Sequence, residues 1–409
     1  MKGPTPIISS IFAEVAPKMP SLRTSLGDSL LGNGIRYHTC VLRSFVLWML
    51  LCASVFAQSP LERAVTLARE KRFREARELL EGVKEPELMG QRIAFHRLKA
   101  AIASGLGANT TAAHEMRAAL ELAPADPNLL LATAVAEAQA GLLEDALGHA
   151  EQAGNLARAK ALIGDIEEKR GEYARAVDAY QAAVTLAPTQ EQFRLDLAFE
   201  WIKHQNFRLA IDLLEKSVAL FPKSAKVRTL LGIANYAEGE IKDAETAFED
   251  AIAVDPRLES PYRCMAEIVL QSSSAPAEPI RKSLCAWNAI VCSALKLRVA
   301  RQNGDAALEQ QAIAGLKLAP PESVVGRCEL ARAYEWTGQL EKARTEMEAC
   351  VKLDPLPQNH YRLALLYRKL GMTELARQEL ELRSQILQKM SEQTALGLSA
   401  LQRFESPAK

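Results

Sequence analysis

The histidines and two closely spaced glycines are the residues of this sequence best suited to acid–base, metal or phosphate chemistry. No two histidines after residue 57 have the H-x-x-x-H or H-E-x-x-H spacing that places two ring nitrogens on one helix face. Gly105 and Gly107 lack the preceding strand and the spacing of a phosphate-binding loop. We therefore expect structural roles for these histidines and predict no catalytic, cofactor or metal site, so the protein is not expected to be an enzyme. The histidines are His96, His114, His149, His204 and His360.

The cysteines could form disulfides or bind metal. The sequence has 7 cysteines, of which Cys40 and Cys52 precede residue 58. None of the others has the C-x-x-C spacing of zinc or thioredoxin-type sites. On one continuous helix, Cys285 and Cys292 would share a face but lie about 10.5 Å apart along the axis, too far for a direct bridge. Disulfide pairing and burial as small apolar side chains both stay open for Cys264, Cys285, Cys292, Cys328 and Cys350.

Composition and charge favour a helical protein without affinity for nucleic acid. The chain has 409 residues, of which 48% are hydrophobic and 6% aromatic. Abundant alanine and leucine with single glycines and prolines are typical of packed helices. The 50 basic residues balance the 50 acidic ones, so no basic surface for nucleic acid is predicted. A small-molecule substrate is not expected either.

The first 57 residues differ from the rest of the chain. Residues 1–40 have no helical periodicity, so we expect a disordered lead, and Arg43 then precedes an apolar run over 45–57. A run of about 13 residues has the length of the hydrophobic region of a secretory signal and is short for a membrane span. Val55 and Ala57 stand at the small-residue positions before a cleavage site, which predicts a periplasmic or secreted protein. The alternative is an uncleaved segment, which would then be the protein's membrane contact.

A recurrence with a period of about 34 residues dominates the remaining chain. Small residues occupy the eighth and twentieth positions of successive segments, where two antiparallel helices would cross closely. Glycine recurs near the fifteenth position, where it would end the first helix, and proline ends many segments. The eighth-position residues are Ala64, Ala100, Ala134, Gly164, Ala198, Gly232, Ala266, Ala331 and Ala364. The twentieth-position residues are Ala76, Ala112, Ala146, Ala176, Ala210, Ala244, Ala343 and Ala376. The glycines are Gly107, Gly141, Gly171, Gly239, Gly304, Gly338 and Gly371.

These segments resemble the tetratricopeptide repeat, in which each unit is a pair of antiparallel helices. The stretch from Leu231 through Tyr236 and Gly239 to Ala244 is close to the consensus of that family, and so is the stretch that begins at Gly171. The resemblance implies an all-α fold, a right-handed superhelical solenoid of antiparallel helix pairs with a capping helix at its C-terminal end.

The resemblance also implies a division of the chain. Regular repeats are expected over 58–258 and 324–390, and two degenerate repeats over 259–323. A loop rich in Ser, Pro and Ala is predicted at 271–279, because its prolines block helix hydrogen bonds. Residues 391–404 have an amphipathic pattern that predicts the capping helix, followed by a tail to 409, since terminal units of a solenoid need a cover.

A concave binding groove formed by the first helix of each repeat is a further implication of the resemblance. The second, fifth, ninth and twelfth positions of that helix would point into it and hold a partner peptide or helix. The clamp residues of chaperone-binding members are not reproduced, so we expect an apolar, partly aromatic stripe with charge at its C-terminal end. Phe199 and Tyr236 are the expected anchors. The alternative is burial of the stripe between helices. The predicted groove residues are Leu131, Val135, Leu195, Phe199, Ile202, Ile233, Tyr236, Arg332 and Tyr361.

Together these features favour a non-catalytic interaction scaffold of the cell envelope or exterior that binds a protein or peptide. The alternative is an accessory subunit of an envelope enzyme or of a glycan or secretion assembly complex. The repeats leave room for a catalytic module only in 259–323, where neither paired carboxylates nor a His/Cys cluster of recognisable spacing occurs.

We expect the mature protein to begin at Gln58. Because Val55 and Ala57 hold the positions that signal processing requires, cleavage should leave Gln58 as the first residue. N-terminal sequencing of the protein from the envelope fraction or the medium measures this. An intact Met1 on protein confined to the cytoplasm would contradict export.

Overall fold

Helices make up all the regular secondary structure in the described part of the chain. The computed structural model describes residues 59–272 and 274–405, with side chains up to 389. Over those residues it has 20 helices and no strand, so the predicted all-α fold is confirmed. The proposed lead and signal, with the apolar run at 45–57, lie outside the described residues, as do Cys40 and Cys52.

The helices follow one another as antiparallel pairs, one pair for each predicted repeat. In each pair a first helix is joined to a second that contacts it. The first helices are α1 (Pro60–Arg69), α3 (Met89–Gly105), α5 (Pro127–Gln139), α7 (Ala157–Arg170), α9 (Glu191–Lys203), α11 (Ala225–Glu238), α13 (Glu259–Gln271), α15 (Ala289–Asn303), α17 (Val324–Trp336) and α19 (Pro357–Lys369). The second helices are α2 (Phe73–Glu81), α4 (Asn109–Leu122), α6 (Leu143–Gln152), α8 (Tyr173–Leu186), α10 (Phe207–Leu220), α12 (Ile241–Val254), α14 (Glu278–Trp287), α16 (Ala306–Leu316), α18 (Leu340–Leu353) and α20 (Thr373–Glu405).

The described residues fall into two compact bodies, an N-terminal body at 59–193 and a C-terminal body at 194–405. Within the N-terminal body, apolar side chains of neighbouring helices form three clusters. Within the C-terminal body, one cluster runs from Leu195 to Leu295 and another reaches Ala376. A core spread along the sequence is what stacked repeats require, because a single helix pair cannot bury its apolar face alone.

Close helix crossings explain the recurring small residues. The alanines at the eighth and twentieth positions are buried, and Ala210 and Ala244 are completely inaccessible. A β-carbon on Gly232 would lie 2.6 Å from the ring of Phe248, and one on Gly164 would lie 2.5 Å from a tyrosine ring. The first helix therefore approaches its partner to a distance that a larger side chain would prevent. The predicted register of the helix pairs is confirmed.

The turn between the two helices of a repeat imposes a left-handed backbone. Gly239 has φ 100° at the end of α11, where its N–H donates to the carbonyls of Asn235 and Tyr236. The other predicted turn glycines also have positive φ. Lys71 (φ 62°) and Gln205 (φ 64°) hold the same position in two repeats that lack the glycine. A side chain in this conformation is disfavoured by about 1–3 kcal/mol, so the helix pair rather than the local residue fixes the turn.

One repeat is interrupted where the sequence predicts a loop. α13 continues to Gln271, and the described residues of 272–277 are not helical. α14 begins at Glu278 with Pro279 in its first turn, where the missing proline N–H costs no helix hydrogen bond. The loop is therefore shorter than the predicted 271–279, and both helices of the repeat form.

Two disulfides cross-link neighbouring helices of the C-terminal body. Cys285 in α14 and Cys292 in α15 form the first, with their Cα atoms 4.3 Å apart. They can bridge because they do not share one continuous helix: the helix breaks at Asn288, whose side chain caps α15. Of the two possibilities left open, disulfide pairing is the one that the structure has for these cysteines. Cys328 in α17 and Cys350 in α18 form the second.

The predicted capping helix is not a separate element. α20 runs without a break to Glu405, so residues 391–404 extend the second helix of the last repeat. No proline interrupts this stretch, and its one glycine, Gly397, disfavours a helix by about 1 kcal/mol, too little to end it. Neither α20 nor any other described helix combines the length and apolar character that crossing a membrane requires.

Replacing Ala244 by leucine should destabilise the fold. Ala244 is inaccessible where α12 packs against α11, so the added carbons must displace neighbours at a cost of about 1–3 kcal/mol. Asp250→Leu on the exposed face of α12 is the control and should change stability by about 0.5 kcal/mol or less. Thermal unfolding followed by circular dichroism measures both. An unchanged melting temperature for Ala244→Leu would show that this crossing accepts a larger side chain.

Candidate functional site

Most of the predicted groove residues pack inside the helix stack. Five of the nine are buried, and Leu131 and Phe199 are partly buried against the same apolar clusters. The expectation of an exposed apolar stripe is therefore wrong at these positions, and burial between helices is the correct interpretation. The five buried residues are Val135, Leu195, Ile202, Ile233 and Tyr236.

One cause is contact between the first helices of successive repeats. α11 contacts α13, α13 contacts α15, and α15 contacts α17 in this way. Positions that would line an open groove are covered by the next repeat, so large apolar residues there become part of the core. Tyr236 is an example, since its ring is buried and its hydroxyl donates to Oε1 of Gln271 on α13, 3.2 Å away.

The charged end of the predicted groove has a different environment. Arg332 of α17 lines a cavity of about 180 Å³ in the C-terminal body. Tyr361 of α19 is 45% exposed, and the Cζ atom of Arg383 lies 5.2 Å from the centre of its ring. Neither of these two predicted groove residues is buried in the core.

The cavity beside Arg332, which we call the arginine-lined cavity, combines charged and apolar walls. α17 and α19 supply most of the walls, and α13 and α18 contribute one residue each. Charged side chains stand beside the indole ring of Trp336 and the aliphatic side chain of Leu366. The lining residues are Gln271, Cys328, Ala331, Arg332, Glu335, Trp336, Met347, Arg362 and Leu366.

A buried ion pair lies behind this cavity. The side chain of Arg298 on α15 is 0% exposed, and its two terminal nitrogens donate to the two carboxylate oxygens of Glu329 on α17, at 2.9 and 3.2 Å. The guanidinium also donates to the backbone carbonyls of Leu270 (2.7 Å), Ser272 (2.9 Å) and Ala294 (2.9 Å). All five donors of the guanidinium are thereby used, as a buried charge requires.

These bonds also cap the end of α13. The last carbonyls of a helix have no partner within the helix. The Leu270 carbonyl accepts from Arg298 and also from Nη1 of Arg332, at 3.0 Å. Two positive charges at a helix C-terminus interact favourably with the helix dipole. Arg298 further fixes the first residue of the loop 272–277 through the Ser272 carbonyl.

The wall of the arginine-lined cavity carries an excess of positive charge. Burial lowers the pKa of Arg332 to about 10, and the nearby Arg362 and Arg298 also lower it, whereas Glu329 opposes the shift. Arg332 and Arg362 both line this wall, and arginine side chains carry a positive charge in proteins. Glu335 is already paired with a lysine of α19.

Arg362 is the arginine of this cavity that a partner can use. It is partly exposed and has no hydrogen-bond or ion-pair acceptor among the described residues. Arg332, in contrast, is engaged by the Leu270 carbonyl and by Glu329. The neighbouring ring of Trp336 lies 4.5 Å from the guanidinium carbon of another arginine and offers an aromatic surface beside the cavity.

A second cavity, of about 390 Å³, lies at the interrupted repeat. α11, α12 and α13 form its sides, and the described loop residues Ser272, Ser274, Ala275 and Pro276 complete the lining. This loop-lined cavity shares Gln271 with the arginine-lined cavity. Glu245 is the carboxylate in its wall.

Three histidines of the described chain bond the two helices of a repeat to each other. In each case Nδ1 of the ring contacts a glutamate of the partner helix, which fits the predicted structural role. No group of three side chains that could hold a metal ion occurs in the part of the chain with described side chains. The pairs are His96–Glu115 (2.8 Å), His149–Glu137 (2.7 Å) and His360–Glu379 (2.6 Å).

Reasoning from the sequence identified Arg332 and missed the residues around it. Arg298 holds the ninth position of its repeat, which is the position of Arg332 in the next one. Counting the degenerate repeat in the same register would therefore have found Arg298. Glu329 and Arg362 both hold the sixth position, which the predicted groove pattern does not include.

The antiparallel pairs and their close crossings define an α-helical repeat protein. Sequence models of the tetratricopeptide repeat match residues 156–191, 202–258 and 326–355. The chain is a tetratricopeptide-repeat protein, and such repeats generally mediate protein–protein interactions. No curated protein matches the sequence.

Solved structures of other tetratricopeptide proteins are similar to the chain at low identity. A tetratricopeptide repeat protein from Parabacteroides merdae is 16% identical, with a TM-score of 0.41, over 72% of this chain and 100% of that one. The C-terminal part of a protein from Cytophaga hutchinsonii is 19% identical, with a TM-score of 0.42, over 63% and 94%. MamA from Desulfovibrio magneticus is 20% identical, with a TM-score of 0.37, over 41% and 98%.

Removing Arg298 should destabilise the C-terminal body. Arg298→Met leaves the buried Glu329 with only its longer 3.5 Å contact to Arg332, which should cost about 3–5 kcal/mol. Adding Glu329→Leu to the same chain removes this poorly paired charge and should recover much of that loss. Denaturant unfolding measures both variants. Equal losses in the single and double variants would contradict the role of the ion pair.

Proposed function

We propose that the protein is an exported, non-catalytic scaffold that binds a segment of a partner protein at the arginine-lined cavity. The observation that carries this proposal is the composition of the cavity, where the charge of Arg362 stands beside Trp336 and Leu366. These residues belong to the first helices of two successive repeats, the elements through which tetratricopeptide solenoids typically hold partners.

A protein segment suits this cavity better than a small molecule. A volume of about 180 Å³ is below the range of about 300–1,000 Å³ that is typical of small-molecule sites, so it fits one or two side chains of a larger partner. Arginine and tryptophan are also enriched among residues that dominate interface energies. Because positive charge prevails in the wall, the matching segment has an acidic group next to an apolar one.

The non-catalytic part of the proposal is supported by the way three buried carboxylates are used. Glu115, Glu137 and Glu329 each contact basic side chains of a neighbouring helix, so their charges hold helices together. A carboxylate that serves as a general acid or base must instead face a cavity where a substrate can reach it. Of the two carboxylates that line the cavities, Glu335 is paired with a lysine, and Glu245 has no second carboxylate, histidine or cysteine beside it in the lining.

Two observations support export. The run at 45–57 has the length and the terminal small residues of a secretory signal. The disulfides Cys285–Cys292 and Cys328–Cys350 are bonds that persist in oxidising surroundings such as the periplasm or the cell exterior. Because Cys328 lines the arginine-lined cavity, its disulfide fixes one wall of the proposed site under those conditions.

Arg362→Ala in the full chain tests the site. Peptides are selected on the unmodified protein from a random phage-displayed library. They should then bind the variant about tenfold or more weakly, because a hydrogen bond to a charged group contributes about 1.5–3 kcal/mol.

Lys352→Ala is the control, since Lys352 is exposed on α18 and does not line the cavity. It should bind the selected peptides normally, and circular dichroism should show that both variants are folded. Peptides that bind Arg362→Ala as tightly as the unmodified protein would remove the cavity as the binding site.

A further inference from the structure

The charged side chain in the wall of the loop-lined cavity is acidic, whereas arginines line the arginine-lined cavity. It lies between α11, α12, α13 and the loop 272–277. Ile241, Ile268, Val269 and Pro276 give it apolar walls. Its volume of about 390 Å³ is enough for a long side chain together with the neighbouring backbone of a partner.

Glu245 places a carboxylate in these walls, and no cation among the described residues is in contact with it. The side chain is partly buried on α12 and has no hydrogen-bond or ion-pair partner among the described residues. Burial raises the pKa of Glu245, and the like charge of Glu249 one turn along the helix raises it further, against the smaller opposing effect of Lys242. None of the residues that line the cavity is basic.

The other polar groups of the cavity are neutral. The Tyr236 hydroxyl donates to Oε1 of Gln271, and the Ser274 N–H donates to Oγ of Ser272, 3.0 Å away. These groups can orient an occupant by further hydrogen bonds. They cannot neutralise Glu245.

An occupant has to satisfy the apolar walls and the carboxylate together. A wholly apolar side chain would take water away from Glu245 without replacing its interactions, which is costly for a charged group. An acidic side chain would be repelled by Glu245 and Glu249. Lysine and arginine instead lay an aliphatic stem along apolar surface and place a cation at its end.

We propose that the loop-lined cavity receives a lysine or arginine side chain from the protein segment that docks at the arginine-lined cavity. The inference rests on the proposed function, because it adds a second recognition point to the same binding face. Gln271 lines both cavities, so the two adjoin at the end of α13. The partner segment accordingly carries an acidic group and a basic group, matched to Arg362 and Glu245.

The interrupted repeat creates this second recognition point. In the regular repeats a short turn joins the two helices, whereas here the loop 272–277 separates α13 from α14. Ala275 and Pro276 of that loop form part of the cavity wall, and the bond from Arg298 to the Ser272 carbonyl holds its first residue in place.

The test compares a basic with a neutral side chain on two forms of the full chain. Peptides selected from the random library on the unmodified protein should share a lysine or arginine near an acidic residue. A peptide in which norleucine replaces that basic residue should bind the unmodified protein about tenfold more weakly than the selected peptide does. On the Glu245→Gln variant, the two peptides should bind with nearly equal affinity. Isothermal titration calorimetry measures the four affinities, and circular dichroism confirms the fold of the variant.

Glu240→Gln is the matched control, because Glu240 is exposed at the start of α12 and does not line the cavity. This variant should keep the preference for the basic residue. One outcome would overturn this inference and leave the proposed function standing. The selected peptides would bind Arg362→Ala more weakly, but the norleucine replacement would reduce their affinity equally for the unmodified protein and for Glu245→Gln. A library that yields no binding peptide would overturn the proposed function together with it.

Discussion

The buried pair between Arg298 and Glu329 is the interaction on which the arrangement of the C-terminal body depends. The backbone of Arg298 belongs to α15, while its guanidinium bonds to the last carbonyls of α13 and to a carboxylate of α17. An apolar pair could match its stability, because desolvation of two charges offsets most of their attraction. The ion pair instead fixes the relative position of the three helices, because the five N–H donors of the guanidinium are all satisfied in one placement of them. The interrupted repeat therefore keeps its position although its regular turn is lost.

Both cavities follow from the way α13 ends. After Gln271 the chain enters a loop. In a regular repeat, such as the one with Gly239 at its turn, the second helix begins directly after the turn. The space on one side of Gln271 is bounded by the loop, and the space on the other side by Arg332 and Trp336. Many of the other positions that would line a groove are buried in the core, as Ile202 and Ile233 are. A local departure from the repeat thus produces the accessible, partly polar surface of this body.

The sequence predicted the elements far better than the surfaces. Small residues at helix crossings and glycines at turns are local signals that recur in each repeat, so the register of the helix pairs could be found without a structure. The exposure of Ile202 and Ile233 depends on how closely the next repeat packs, which has no local signal. The bridge from Cys285 to Cys292 was missed because Asn288 ends one helix and caps the next without a glycine or proline. Of the site, Arg332 followed from the repeat register, whereas its partners required the tertiary contacts.

The short disulfide loops also determine how the C-terminal body responds to a pulling force. In a stack whose repeats contact chiefly their neighbours, tension along the chain extracts one helix pair after another. The bridged cysteines are 7 and 22 residues apart. While a disulfide is intact, only the residues between its two cysteines cannot be extended by the force. At about 3.3–3.6 Å per residue, the longer loop shortens the released chain by roughly 70 Å. The C-terminal body is in this respect a tether whose extensible length is set by the redox state of its surroundings.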